Sequence, residues 1–162
     1  MRHTISVLVE NKFGALTRIA GLFSGRGYNI DSLNVAPTHD PTASRMTIVT
    51  EGDDTIIEQI IKQLNKVIDT IKVVDLTFDS FVERELVLVK VQTTAATRSE
   101  IMQVAEIFRA KVVDISQRTL TLEATGSRQK VDAIIKMLKP FVIKEIARTG
   151  RVALKREFQG EV

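Results

Sequence analysis

Cysteine is absent from this chain, and so is tryptophan. The first absence excludes disulfides, thiolate nucleophiles and cysteine-built zinc sites, and it fits a cytoplasmic protein. Aromatic residues of all kinds make up only 5%, with a single tyrosine, Tyr28. That is too few for the stacking platform of a single-stranded RNA binder, and the run Met46-Thr47-Ile48-Val49 contains none. No apolar run approaches the roughly 20 residues that cross a bilayer as a helix. The first residues go straight into alternating pattern, without the apolar stretch or cleavage site of a signal peptide. The two histidines, His3 and His39, lack metal-ligand spacing. No nucleophile elbow occurs. The expectation is therefore no catalytic residue, no metal, no membrane and no nucleic acid.

What is present is ordinary globular material. The 162 residues are 44% apolar and 27% charged, enough for one domain or two small ones. The net charge of +3 is uneven: residues 1–78 carry −1 and residues 79–162 carry +4. Mixed signs and scatter make the basic half a solvated surface before they make it a binding face.

The apolar pattern repeats. Ile5, Val7 and Val9 alternate as a strand does, and Leu16, Ile19, Ala20 and Phe23 follow at helical spacing. Gly25 and Gly27 sit where that helix stops. Strands follow over residues 28–36 and 46–50, joined by a loop holding Pro37 and Pro41. A helix opens at Gly52-Asp53-Asp54-Thr55, where the acids suit capping, and carries Ile57, Ile60, Ile61, Leu64 and Ile68. A strand over residues 73–78 closes the unit. The second half gives strands at 86–91, 112–116, 120–124 and 142–147. Its helices carry Ile101, Val104, Ala105 and Phe108, then Val131, Ile134, Ile135 and Leu138. Thr97-Arg98-Ser99-Glu100 has capping-box spacing, and Pro140 ends the last helix. The reading is α+β: two β-α-β-β-α-β ferredoxin-like sandwiches in tandem, residues 1–78 and 79–162. One face of each sheet would stay open unless it packs on something.

Such sandwiches serve many functions, so a site must come from residues. The best candidate is the corner from Asn11 through Gly14 and Ala15 to Leu16. A Gly-containing corner at a helix start can present N–H groups to a small anion. Asn11 adds an amide that donates and accepts. Asn29 and Ile30 form a second polar corner at the start of strand 2. Two such corners from two domains would enclose a small zwitterion. Turn chemistry alone also explains Asn11 and Gly14, and Phe13 reads as a packing residue.

At these residues the sequence resembles a known family. The runs 6–16, 18–24 and 26–30, with Val35-Ala36-Pro37-Thr38, Asp40-Pro41 and Ser44-Arg45-Met46-Thr47-Ile48, are similar to the ACT domain of acetolactate synthase small subunits. Residues 82–86, 88–90 and 106–109 extend the likeness past the linker. The resemblance implies a non-catalytic regulatory subunit that activates the large catalytic subunit and makes it sensitive to valine. Thiamine diphosphate, Mg²⁺ and FAD would belong to the large subunit, with no cofactor here. It also implies a valine pocket of Asn11, Gly14, Ala15 and Leu16, completed across a homodimer by Asn29 and Ile30. Residues 79–162 would be structural or partner-facing. The competing expectation is an ACT-type amino-acid sensor acting on a different enzyme.

Overall fold

The computed structural model describes residues 1–157; the end of the expected second domain, residues 158–162, lies outside the described residues. The described chain divides into two compact units, Glu83–Gly150 and a first unit of residues 1–82 together with residues 151–157.

The first unit runs β1 (Arg2–Glu10), α1 (Ala15–Gly25), β2 (Ile30–Pro37), β3 (Ala43–Glu51), α2 (Asp54–Lys66) and β4 (Thr70–Asp75). Its sheet has the order β2-β3-β1-β4, all neighbours antiparallel. Strand alternation sends Ile5, Val7 and Val9 to one face. There they meet Met46 and Ile48 from β3, Ile19 and Phe23 from α1, and Ile57, Ile60 and Leu64 from α2. Each large side chain so enclosed contributes about 1.5–3 kcal/mol over its exposed state. Asp53 caps α2 by accepting a hydrogen bond from the Ile56 N–H at 2.9 Å.

The second unit repeats the order: β5 (Phe81–Gln92), α3 (Arg98–Ile107), β6 (Lys111–Ile115), β7 (Thr119–Gly126), α4 (Arg128–Leu138), a 3-10 turn (Lys139–Phe141) and β8 (Ile143–Arg148). Its strands lie β6-β7-β5-β8. Val87, Val89 and Val91 pack with Leu120, Leu122, Ile101, Val131, Ile134 and Leu138. The tandem β-α-β-β-α-β reading thus holds.

Several local expectations need correction. Ile68 is not in the α2 stripe: the helix ends at Lys66, Val67 is extended, and Ile68 is 85% exposed in the following turn. Leu16 is 42% exposed, because the inward face of α1 is set by Ala15, Ile19 and Phe23. Phe13 packs on nothing and is fully exposed. The helix stop expected at Gly25 and Gly27 does hold: Gly25 is the last helical residue, and Gly27, at φ 71°, takes the left-handed turn. The capping box fails: Thr97 is in helical conformation with no side-chain cap. Thr97 and Thr94 instead accept from each other's N–H groups at 2.9 and 3.2 Å.

The sheet of the first unit is not open on its far side. Thr4, Ser6 and Thr47 there are buried, as is Val49. Such polar groups need partners. Arg45 donates to Ser6 Oγ at 2.8 Å and Arg151 donates to Thr4 Oγ1. Arg151 leads into a short strand that no alternation announced, β9 (Val152–Lys155).

Candidate functional site

The corner is tied down before it turns. The Glu10 N–H donates to Asp69 O at 2.8 Å, and the Asn11 N–H donates to Thr42 O at 2.7 Å. These bonds anchor the end of β1 to the α2–β4 and β2–β3 connections. Gly14 then stands at φ 82°, ψ −4°, as the N-cap of α1. A left-handed backbone of that kind favours glycine because it has no Cβ. The Gly14 carbonyl accepts the first helical bond, from Arg18 N at 3.0 Å.

This geometry leaves donors unspent. Among the described residues, no backbone acceptor serves the N–H groups of Gly14, Leu16 and Thr17. They point out of a helix start, where the macrodipole favours negative charge. Asn11 donates its side-chain NH₂ to Pro41 O at 2.9 Å, which fixes the amide and leaves Oδ1 as an acceptor. Anion donors and a cation acceptor therefore sit within one turn. Ala15 is 4% exposed and serves the core, so at that position only the backbone can reach a ligand. Leu16 offers its half-exposed side chain.

Periodicity did not disclose Arg18 and Asp69. Arg18 Nε donates to Asp69 Oδ2 at 2.6 Å, and Arg18 Nη2 donates to Phe13 O at 3.2 Å. The guanidinium's hydrogen bond holds the buried Asp69 carboxyl below its ordinary range, and Asp69 raises Arg18 in turn. Arg18 therefore clamps the corner to the start of β4. Its Nη1 lies 2.9 Å from where a Cβ on Gly14 would stand. The available signal was an arginine four residues after the corner glycine, one turn along the helix. Beside it, Lys12 pairs with Glu10 at 2.8 Å.

Asn29 and Ile30 are elsewhere. Ile30 pairs with Thr50 at one end of β3, whereas Glu10 pairs with Ala43 at the other. Seven residue steps of strand lead from Ala43 to Thr50, about 23 Å at ~3.3 Å per residue. Asn29 donates to Asp31 Oδ1 at 3.2 Å and accepts at its carbonyl from Thr50 Oγ1 at 2.6 Å. One chain thus brings together Asn11, Gly14, Ala15 and Leu16, and does not bring Asn29 and Ile30 to them. Among the described residues no three His, Asp or Glu side chains are grouped to hold a metal. His3 is interior: it is 1% exposed, with Nδ1 at 3.2 Å from Asp75 and its ring edge-on to Phe78.

Comparisons with known proteins agree with this architecture. Residues 5–72 match the family model described as the AHAS small subunit-like ACT domain, and residues 84–157 match that of the small subunit of acetolactate synthase. The acetolactate synthase small subunit of Aquifex aeolicus is 54% identical over 157 residues, covering 96% of this chain and 82% of that protein. That of Mycobacterium bovis is 51% identical over 158 residues, covering 98% of this chain and 94% of the relative. The crystal structure of the acetolactate synthase small subunit from Thermotoga maritima superposes with a TM-score of 0.88 at 42% identity, covering 96% of this chain and 98% of that one. The chain therefore belongs to the acetolactate synthase small-subunit family.

Proposed function

We propose that this chain is the non-catalytic regulatory subunit of a cytoplasmic acetolactate synthase, activating its large catalytic subunit and conferring feedback inhibition by valine. Thiamine diphosphate, Mg²⁺ and FAD belong to the catalytic subunit in this reading, and this chain carries no cofactor of its own. The observation that carries the valine assignment is the unspent donor set at Gly14, Leu16 and Thr17 beside the fixed Asn11 amide. An amino-acid carboxylate suits the former, and its ammonium suits Asn11 Oδ1. The branched side chain would lie against Leu16.

A homodimer follows from the same reading. β2 is an edge strand, with Asn29 and Ile30 at one end and the β2–β3 turn that meets Asn11 at the other. Antiparallel pairing of two such edges about a two-fold axis would carry the Asn29 end of one copy toward the corner of the other. Valine bound there would bridge two ACT domains and fix their relative orientation. Feedback then requires that valine favour the inhibitory arrangement, with an ordinary coupling of about 1–3 kcal/mol. An apolar pocket separates neighbours differing by a methylene by only about 1–3 kcal/mol, so leucine and isoleucine should act more weakly rather than not at all.

The test is reconstitution. The catalytic subunit is assayed alone, with this chain, and with this chain plus valine, and the chain is assayed alone for synthase activity. Activation reversed by valine is the expected result. Absence of activation, or synthase activity from the chain alone, overturns the reading.

A further inference from the structure

In the first unit, the C-terminal parts of α1 and α2 and the residues just beyond them line an open groove of about 480 Å³, with Gly21, Leu22, Gly25, Arg26, Lys66 and Val67 among its lining. Its apolar lining is Leu22 and Val67, both half-buried and both packed against the core of the unit. One wall is α1, which at Gly21 and Gly25 presents bare backbone. Neither glycine takes a left-handed conformation, and a Cβ built on either would meet nothing within 4 Å. Glycine inside a helix is unfavourable relative to alanine, and no contact among the described residues requires it at Gly21.

The charge at the groove has one sign. No acidic residue occurs between Glu10 and Asp31, whereas Lys12, Arg18 and Arg26 do. Lys12 and Arg18 are spent on Glu10 and Asp69, and on α2 Lys62 is spent on Glu58. Arg26 and Lys66, the two cations at the groove, have no carboxylate partner among the described residues. An occupant complementary to this surface has an apolar face narrow enough to approach backbone closely, with carboxylates on its flanks.

We propose that this groove docks an acidic, amphipathic helix of the catalytic subunit. The inference rests on the chain acting through that subunit. The groove also adjoins the effector corner: Arg18 lies one turn before Leu22 on α1, and its partner Asp69 lies two residues beyond Val67. A ligand that shifts the Arg18–Asp69 clamp would therefore move both walls of the groove.

The test uses the full chain and the intact catalytic subunit, with association measured by calorimetry at about 0.05 M and about 0.5 M salt. Arg26→Glu with Lys66→Glu should weaken association about tenfold or more at low salt and less at high salt. Gly21→Leu, which fills the groove, should weaken it about tenfold at both salts. Gly21→Ala checks that folding is not the cause: its melting temperature should equal or exceed the native value. Association within about twofold of native for both the charge-reversed and the filled variant overturns the proposal. So does a Gly21→Leu variant that loses self-association while keeping the catalytic subunit, since the occupant would then be a second copy. If the native chain itself fails to associate, the reading under Proposed function falls too; if the native chain and the variants associate equally, only the groove is wrong.

Discussion

Replacing Gly14 by Asp puts a carboxylate where the effector carboxylate is expected. Two costs follow, and the structure separates them. The first is backbone strain: Gly14 sits at φ 82°, where a side chain costs about 1–2 kcal/mol, with Asp and Asn at the lower end. In a unit of this size that lowers the melting temperature by roughly 4–8 °C per kcal/mol. Sterically the three atoms nearest the new Cβ all belong to the Arg18 guanidinium, with Nη1 at 2.9 Å, the far end of a side chain that can yield. The second cost is to binding. Hydrogen bonds to a charged ligand contribute about 1.5–3 kcal/mol each, and a fixed carboxylate both occupies the Gly14 and Leu16 donors and repels the ligand. A loss of about 3 kcal/mol weakens valine binding about 150-fold. Gly14→Ala serves as the control, with at least as much strain and no charge. Calorimetric titration with valine, thermal unfolding, and the activity of the reconstituted synthase with and without valine are measured on all three proteins. The expected pattern is a modest thermal loss in both variants, valine insensitivity in Gly14→Asp alone, and activation in every case. A folded Gly14→Asp chain that still binds valine within about threefold of native refutes the pocket.

Asp53→Ala removes the bond that caps α2 and should cost about 1 kcal/mol in urea unfolding, with valine binding unchanged. Arg148→Met strands the Glu85 carboxylate, which is buried, hydrogen-bonded to Arg148 Nε, and paired through the same guanidinium to Asp132. The expected loss is about 2 kcal/mol, held down by the partial exposure of the arginine, and adding Glu85→Gln should restore at least half of it. Asp69 has its carboxyl lowered by Arg18. Its contribution to stability is therefore complete above the ordinary carboxyl value of ~3.9 and fades as pH falls from there through the lower folded value. Asp69→Asn should lose that acid-side dependence, read from urea unfolding at a series of pH values below neutrality.

The sequence made the order of elements legible because each carried its own period. Ile5, Val7 and Val9 cannot be a helix face, and Ile57, Ile60 and Leu64 cannot be a strand face. What failed was local and turned on tertiary bonds. Thr97 and Glu100 have capping-box spacing, yet Thr94, three residues earlier, takes the Thr97 N–H for itself. Ile68 continues the α2 stripe by spacing, but the chain must leave the helix at Val67 for Asp69 to reach Arg18. Phe13 read as a packing residue near the corner, and nothing local says which way a turn residue points. At the site, Asn11 and Gly14 were legible as a corner. The Arg18–Asp69 clamp was not, since its partners are 51 positions apart. Nor does spacing reveal that Asn29 stands a strand length from Asn11, because sequence distance does not tell which end of a sheet a residue occupies.

On the proposed valine reading, the two units give a physical reason for expecting a single effector site. Their first strands end alike. Asn11 N donates to Thr42 O across the neighbouring turn in one, and Thr93 N donates to Arg118 O in the other. Beyond that point the chemistry diverges. Asn11 is exposed and carries an amide, whereas Thr93 is 3% exposed and turns its hydroxyl to its own neighbour's carbonyl. The first corner then reaches its helix through a left-handed glycine and leaves its Gly14 N–H open. The second reaches it through Thr94 and Thr97, which satisfy each other's N–H groups and bring their hydroxyls to 3.2 Å. A donor already bonded within its own turn has little to gain from a ligand, because the net value of a hydrogen bond lies in replacing one that is missing. Restoring glycine and asparagine at the second corner would therefore not by itself create a second pocket. The Thr94–Thr97 pair would also have to be broken, and Thr94→Ala with Thr97→Ala should open the N–H groups at the cost of stability in the second unit, without altering the valine stoichiometry.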